Sequence, residues 1–281
     1  MAQIIDGKLL ARAIREEVKR GVQSLTRAPR LIAVQVGHDD ASASYTRSQA
    51  RTAEKLGITY HLETLPEETS LDDLGRAVKD LAKPEDVAGL MLQTPLPPQL
   101  DPVQCRRLIP LELDVEAVTE AAAGRLFHGT HRVAPCTAVA ALECLKAGAG
   151  GDVTGLHVAI FGRSAIVGKP LALLLLQANA SPSILHTRTR EPARIASGAD
   201  AVVVAVGRPR LVGADMVGEG AIVIDVGTNW DAAANRLVGD VRFDEVEPKA
   251  AAITPVPGGV GPVTTAVLMR NLLTLARLRE R

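Results

Sequence analysis

The amino-acid sequence predicts an α/β protein of two doubly wound domains, the second built on a mainly parallel sheet. Three observations predict it. Stretches of helical and of strand periodicity alternate along most of the 281 residues, the pattern of a sheet covered by crossover helices. A glycine-rich joint at 148–155 separates two such series. Apolar residues make up 47% of the chain but aromatics only 2%, so the core has to be built from Ala, Val, Leu and Ile.

The elements follow in order. Residues 7–25 repeat Leu10, Ile14, Val18, Val22 and Leu25 at helical spacing. A strand is expected at 30–36, ending at Gly37, then a helix from Ser42 to about Leu56 that stops at Gly57. Residues 58–65 read as a strand. Residues 70–82 read as a helix with Asp72 and Asp73 in its first turn, where the helix dipole favours them. Residues 87–93 form a buried strand running into a proline-rich turn. The region 110–135 is less regular. A helix near 137–148 leads to the joint. Beyond it come strand 157–161, helix 166–178, strand 183–186, helix 191–197, strands 200–206, 221–226 and 251–254, and a last helix at 264–279. That helix is expected to return to the first domain, giving expected domains of 1–137 with 264–281, and 138–263.

Composition excludes several classes. Lys and Arg total 32 against 32 Asp and Glu, so no field capable of gathering nucleic acid or an anionic membrane is expected. Cys105, Cys136 and Cys144 match neither a zinc site nor a disulfide framework, and the six histidines are scattered. No metal centre is expected. No apolar run approaches a membrane span, and the first residues carry no secretory pattern. The expectation is a soluble cytoplasmic protein.

The chemistry concentrates after residue 156. A short apolar strand, 157–161, runs into GRSAIVGKP at 162–170 and then a helix. A strand, glycine turn and helix start aim backbone N–H groups and the helix dipole at an anion. The spacing is neither G-x-G-x-x-G nor a P-loop, because five residues separate Gly162 from Gly168 and Pro170 stands where a P-loop has Ser or Thr. An ordinary βα turn is the bland alternative. Three features argue against it. The next strand ends in His186, Thr187, Arg188, Thr189 and Arg190, where an NAD enzyme places a ribose-binding carboxylate; with Arg163, these basic residues suit a 2′-phosphate and so NADP. The following strands each run into glycine, at Gly207 and Gly227. Finally, TPVPGGVGP at 254–262 follows the last strand.

With these runs in hand, the sequence resembles the bifunctional methylenetetrahydrofolate dehydrogenase/methenyltetrahydrofolate cyclohydrolases. The resemblance rests on GRSAIVGKP at 162–170, VGRP at 206–209, IDVG at 224–227, GDV at 239–241 and TPVPGGVGP at 254–262, and extends over nearly the whole chain. It implies a cleft between the two domains, tetrahydrofolate derivatives on the first, NADP on the second in a Rossmann-type fold, and a homodimer. It implies cofactor contacts from Gly162, Arg163, Ser164, Thr187, Arg188 and Thr228. It implies substrate contacts from Tyr45, Gln93, Glu116 and Pro262, and catalytic roles for Tyr45, position 49, Gln93 and Glu116. The implied reaction is oxidation of 5,10-methylenetetrahydrofolate by NADP⁺, followed by hydrolysis to 10-formyltetrahydrofolate, in one-carbon metabolism.

The departures from the family pattern lie on the substrate side. Four residues after Tyr45 the family carries a lysine that activates water; here stands Gln49, which is neutral and does not titrate. Arg47 and Arg51 point about 160–200° around the helix from it, so neither takes its place. DVEA at 114–117 puts Glu116 and Ala117 where the family has Asp and Gly, and Cys136 precedes Thr137 and Ala138 where a proline is usual. Cys136 reads as a packed thiol, since no base is indicated beside it. Hydride transfer depends on alignment of two bound molecules, so the expectation is a dehydrogenase with weak or lost cyclohydrolase activity. A fully bifunctional enzyme and a non-catalytic NADP- or folate-binding paralogue are the alternatives. A shikimate-type dehydrogenase shares the architecture but not the 254–262 run.

Overall fold

The structure, a computed structural model, describes residues 1–38, 40–232 and 235–280, and side chains outside 40–45. The chain divides into two compact units, one of residues 1–13 with 135–267 and one of 14–134 with 268–281. The boundaries differ from the sequence-based ones at both ends. The chain starts with β1 (Gln3–Ile4) and α1 (Gly7–Gln23). Asp6 caps that helix, its Oδ1 accepting from the backbone N–H of Lys8 at 2.8 Å and of Leu9 at 3.2 Å. The first 13 residues belong with the later unit because β1 pairs with its last strand. A two-residue strand carries no periodicity from which that pairing could be read.

The 14–134 unit holds a three-stranded parallel sheet. Its strands are β2 (Arg30–Val36), β3 (Thr59–Leu65) and β4 (Val87–Leu92), in the order β3-β2-β4. Between them run α2 (Asp40–Lys55) and α3 (Leu71–Leu81). Ser70 caps α3 by accepting from the Asp73 N–H, while its hydroxyl donates to the Asp73 carboxylate at 2.6 Å, a reciprocal cap. Two short helices follow, α4 (Pro102–Arg106), capped by Asp101, just before the stretch expected to be irregular, and α5 (Glu120–Phe127), capped by Thr119, inside it. The core is aliphatic: Ile32, Val34, Leu74, Val78, Leu90 and Leu113 are among its buried members.

The other unit, beyond β1 and the start of α1, runs through α6 (Cys136–Gly148), β5 (His157–Phe161), α7 (Gly168–Gln177), β6 (Ser181–Leu185), α8 (Pro192–Ser197), β7 (Ala201–Val204) and β8 (Ile222–Asp225). A small antiparallel pair, β9 (Asn229–Asp231) and β10 (Arg236–Val238), was not expected from the sequence; its strands are three residues each. Then follow α9 (Phe243–Val246), β11 (Ala252–Ile253) and α10 (Val260–Arg279), whose second half belongs to the 14–134 unit. The six-stranded sheet has the order β1-β11-β8-β7-β5-β6, with every neighbouring pair parallel. The order reverses around β5, which lies between β6 and β7. That is the topological switch point at which open α/β sheets take ligands, at the carboxyl ends of their strands. Among the described residues no helix is long and apolar enough to cross a membrane.

Candidate functional site

In the six-stranded unit the turn after β5 sits at that switch point. Gly162 has φ +118°, and a Cβ there would run into the carbonyl oxygen of Ala205 at the end of β7. A Cβ on Gly168, the first residue of α7, would collide with the carbonyl of Gly162. Both glycines are therefore demanded by close backbone approach. Ser164 accepts from the Val167 N–H at 3.1 Å, which leaves its own hydroxyl proton available. Arg163 and Ser164 are exposed, as are Thr187, Arg188 and Arg190 in the turn after neighbouring β6. That turn is held by His186, whose N–H donates to Thr189 Oγ1 and whose Nδ1 accepts from the Arg188 N–H at 3.1 Å. Thr228 is exposed beyond the carboxyl end of β8.

Two buried carboxylates organise the remaining loops of this edge; the sequence shows both inside motifs but assigns a role to neither. Asp240, fully buried, accepts from the backbone N–H groups of Val206 and Gly207, both at 2.8 Å, and from Asn229 Nδ2 at 2.8 Å. Asp225 accepts from the N–H groups of Gly227 (2.9 Å), Asp240 (3.0 Å) and Val241 (2.9 Å). Burial pushes the Asp225 carboxyl up to about 6, against the lowering effect of those three N–H groups. Thr254 Oγ1 accepts from the Asp225 N–H at 2.7 Å, tying the start of the 254–262 run to β8. The glycines beside these acids are forced too, since a Cβ on Gly227 would strike Asp240 and one on Gly239 would strike Asp225. The motifs at 206–209, 224–227 and 239–241 thus form one hydrogen-bonded cluster.

In the 14–134 unit, Gln49 on α2 is buried and its side chain meets two others. Gln93, which extends β4 by donating its N–H to Val34 O, donates from Nε2 to Gln49 Oε1 at 3.1 Å. Tyr60, on β3, donates its hydroxyl to the same oxygen at 3.3 Å. Tyr45 lies four residues before Gln49 on α2, but its side chain falls outside the described residues. Arg47 and Arg51 are exposed, away from buried Gln49. Glu116 lies in the same unit, between α4 and α5. Burial first, then the nearby Asp114, push its carboxyl up to about 7, and Arg106 opposes them. Asp114 is committed to the backbone, accepting from the N–H groups of Val118 (3.1 Å) and Thr119 (2.8 Å). Asn271 on α10 donates to the carbonyls of Val115 and Ala134, both at 3.0 Å, and so fixes the strand of chain that carries Glu116. Ala117 adopts φ +52°, the left-handed region in which the expected glycine would be unstrained. Cys136 is buried at the start of α6. Pro262 lies in the first turn of α10, within the six-stranded unit and not the one that holds Gln49.

Comparison with known proteins identifies the family. Residues 5–116 match the tetrahydrofolate dehydrogenase/cyclohydrolase catalytic domain, and residues 135–280 match its NAD(P)-binding domain. The chain belongs to the tetrahydrofolate dehydrogenase/cyclohydrolase family. It is 45% identical to the bifunctional protein FolD of Lactobacillus delbrueckii subsp. bulgaricus, over 99% of this chain and 98% of that one. It is 42% identical to FolD of Gluconobacter oxydans, over 99% and 94%. Among solved structures it superimposes on the bifunctional FolD enzyme of Campylobacter jejuni with a TM-score of 0.94, at 35% identity over 99% of this chain and 100% of that one. A FolD of Trypanosoma brucei solved with NADP cofactor and an inhibitor gives 0.92, at 35% identity over 100% and 99%. The membership makes this chain an enzyme-family α/β protein with a catalytic and an NAD(P)-binding domain. The residues of the second fit such a group: a glycine turn that admits close backbone approach, with exposed Arg163, Arg188 and Arg190 able to pair with phosphate.

Proposed function

We propose that this chain is an NADP-dependent 5,10-methylenetetrahydrofolate dehydrogenase whose cyclohydrolase step is weak or lost. The observation that carries the reading is Gln49: a buried, neutral carboxamide held by Gln93 and Tyr60, at the position where the family pattern places its water-activating lysine. In the first reaction a hydride leaves the methylene carbon of the substrate, giving the methenyl cation. NADP⁺, when bound, accepts that hydride. Gly162, Arg163 and Ser164 receive the cofactor at the βα turn, Thr187 and Arg188 the adenosine phosphate, and Thr228 lines the same sheet edge. Tyr45, Gln93 and Glu116 receive the reduced folate, with Pro262 a further contact, and Gln49 serves as a fixed hydrogen-bonding group. None of these steps needs a base at position 49.

Hydrolysis differs. Water must add to the methenyl carbon and release a proton, and a carboxamide can neither take that proton nor return it. Loss of one general acid–base group typically costs about 10²–10⁴-fold. A fully bifunctional enzyme has one observation in its favour: Glu116, displaced to about 7, titrates in the working range of a proton carrier. The protein is further proposed to be a cytoplasmic homodimer.

Two assays on the purified protein test the reading: methenyl formation from 5,10-methylenetetrahydrofolate with NADP⁺ or NAD⁺, and hydrolysis of added methenyltetrahydrofolate. Expected are NADP⁺-dependent turnover, hydrolysis near the uncatalysed rate, and a gain in hydrolysis in Gln49→Lys. Absence of oxidation with either cofactor refutes the dehydrogenase assignment and leaves a non-catalytic paralogue. Hydrolysis at a rate comparable with oxidation establishes the bifunctional alternative. Light scattering of the eluted protein checks the dimer.

A further inference from the structure

We propose that Tyr60 is a positioning residue that sets what position 49 offers the substrate. This rests on the folate reading above. Gln49 has one carbonyl oxygen and one amide nitrogen. Tyr60 Oη and Gln93 Nε2 both converge on the oxygen, at 3.3 and 3.1 Å, and together they occupy its two lone-pair directions. The side chain's remaining hydrogen-bonding capacity is its two N–H protons. Position 49 therefore presents donors only, in a fixed orientation, to an acceptor atom of the ligand, which in a reduced folate means a carbonyl oxygen or an unprotonated ring nitrogen.

Gln93 alone does not achieve this. With a single partner, a carboxamide can rotate about its last torsion, whose preference is broad and roughly two-fold, and exchange its oxygen for its nitrogen. Two converging donors favour one of the two orientations. Tyr60 is placed for this by the parallel sheet rather than by α2. It sits second in β3, paired in register with Leu31 of β2, so its ring is anchored independently of the helix it reaches. Its ring is half-buried on an edge strand, where the hydroxyl can be removed without opening the core.

The test is a double-mutant cycle read as tetrahydrofolate affinity by calorimetry, supported by the kcat and KM of the dehydrogenase. Tyr60→Phe is expected to weaken tetrahydrofolate binding about three- to tenfold, the range for one lost neutral hydrogen bond, and to raise KM by the same factor with kcat nearly kept. In a Gln49→Ala background the same change is expected to alter affinity by less than about 1.5-fold, because the group it positions is gone. p-Aminophenylalanine at position 60, which retains a donor, should restore most of the loss. Equal effects of Tyr60→Phe in both backgrounds overturn the proposal, as does a Tyr60→Phe protein that fails to fold, since Tyr60 is then a packing residue. If the unaltered protein binds no tetrahydrofolate, the folate reading fails and the positioning role falls with it. If it binds tetrahydrofolate without oxidising the methylene compound, only the dehydrogenase reading fails and the cycle still decides on Tyr60.

Discussion

Replacing Asp240 with alanine separates the ordering of the cofactor edge from the stability of the rest of the chain. The carboxylate is fully buried and accepts three hydrogen bonds, from the Val206 and Gly207 N–H groups and from Asn229 Nδ2. Alanine leaves all three donors without their acceptor. Each bond to a charged acceptor contributes about 1.5–3 kcal/mol, but the cost of burying the carboxylate is recovered at the same time. The expected net loss is about 3–5 kcal/mol, from three neutral donors left unpaired at about 1–3 kcal/mol each, less the recovered desolvation of the carboxylate. Asp240→Asn keeps one oxygen, enough to serve both backbone N–H groups from one side, and should lose only about 1–2 kcal/mol. Urea unfolding can be followed by the emission of Trp230, the chain's single tryptophan, which adjoins Asn229 on β9. NADP affinity, measured by titration, should fall at least about tenfold in Asp240→Ala, equivalent to roughly 1.4 kcal/mol, with tetrahydrofolate affinity unchanged. If Asp240→Ala unfolds at the urea midpoint of Asp240→Asn and both bind NADP like the unaltered protein, the carboxylate does not organise these loops.

Other perturbations follow from the same geometry. Gly162→Ala combines φ +118° with a collision against Ala205 O and should abolish measurable NADP binding. Gly207→Ala has φ +63° but open space around its Cβ, so it should cost only about 1–2 kcal/mol; equal defects in the two would contradict the close-approach argument. Arg163→Ala with Arg188→Ala should weaken NADP about tenfold or more while leaving NAD affinity within a factor of about two, by charge-assisted contacts to the 2′-phosphate; equal losses for both cofactors would contradict that assignment. Glu116 has a folded-state carboxyl at about 7, above its unfolded value of 4.5. The folded state thus holds the proton more tightly, so this group's contribution to stability is full below about pH 4.5 and lost as pH rises through 7. Between pH 5 and 8 the stability of the unaltered protein relative to Glu116→Gln should fall by about 2 kcal/mol, allowing for partial exposure. A difference that stays flat across that range would show that Glu116 is not perturbed.

What could be read from the sequence was what depends on local pattern. The helix at 71–81 carries its own start signal in Ser70 and Asp73, and β2, β4 and β5 are continuous apolar runs of the kind parallel sheets bury. Helices α4 and α5 escaped because five and eight residues are too few to show a period, although Asp101 before Pro102 and Thr119 before Glu120 are capping signals that could have found them. The strand–turn–helix at 157–177 was legible because its glycines, strand and helix are contiguous. The roles of Asp225 and Asp240 were not: their partners lie up to 34 residues away, and only the strand order brings those loops to one edge. Asn271 is a similar case, reaching carbonyls 156 and 137 residues distant. Tyr60 was invisible for a subtler reason. Its position in β3 reads as an ordinary strand residue, and nothing in the sequence says that α2 lies over that strand end.

The surroundings of Gln49 bear on how a family built for two reactions could lose one without losing its architecture. A lysine at this position would require acceptors, and both present partners can supply them. The Gln93 carboxamide can turn its Oε1 inward, and a tyrosine hydroxyl can accept as well as donate. Burial would hold such a lysine's pKa below its exposed value, which is what a base working near neutrality needs. Gln49→Lys should accordingly fold with little loss, and the same two neighbours would then hold an ammonium instead of a carboxamide oxygen. The exchange is small in packing terms and large in proton chemistry, because nothing but the titratable group itself has to change. On the proposed function, hydride transfer, which draws on alignment of two bound molecules, is indifferent to that exchange, and water addition is not.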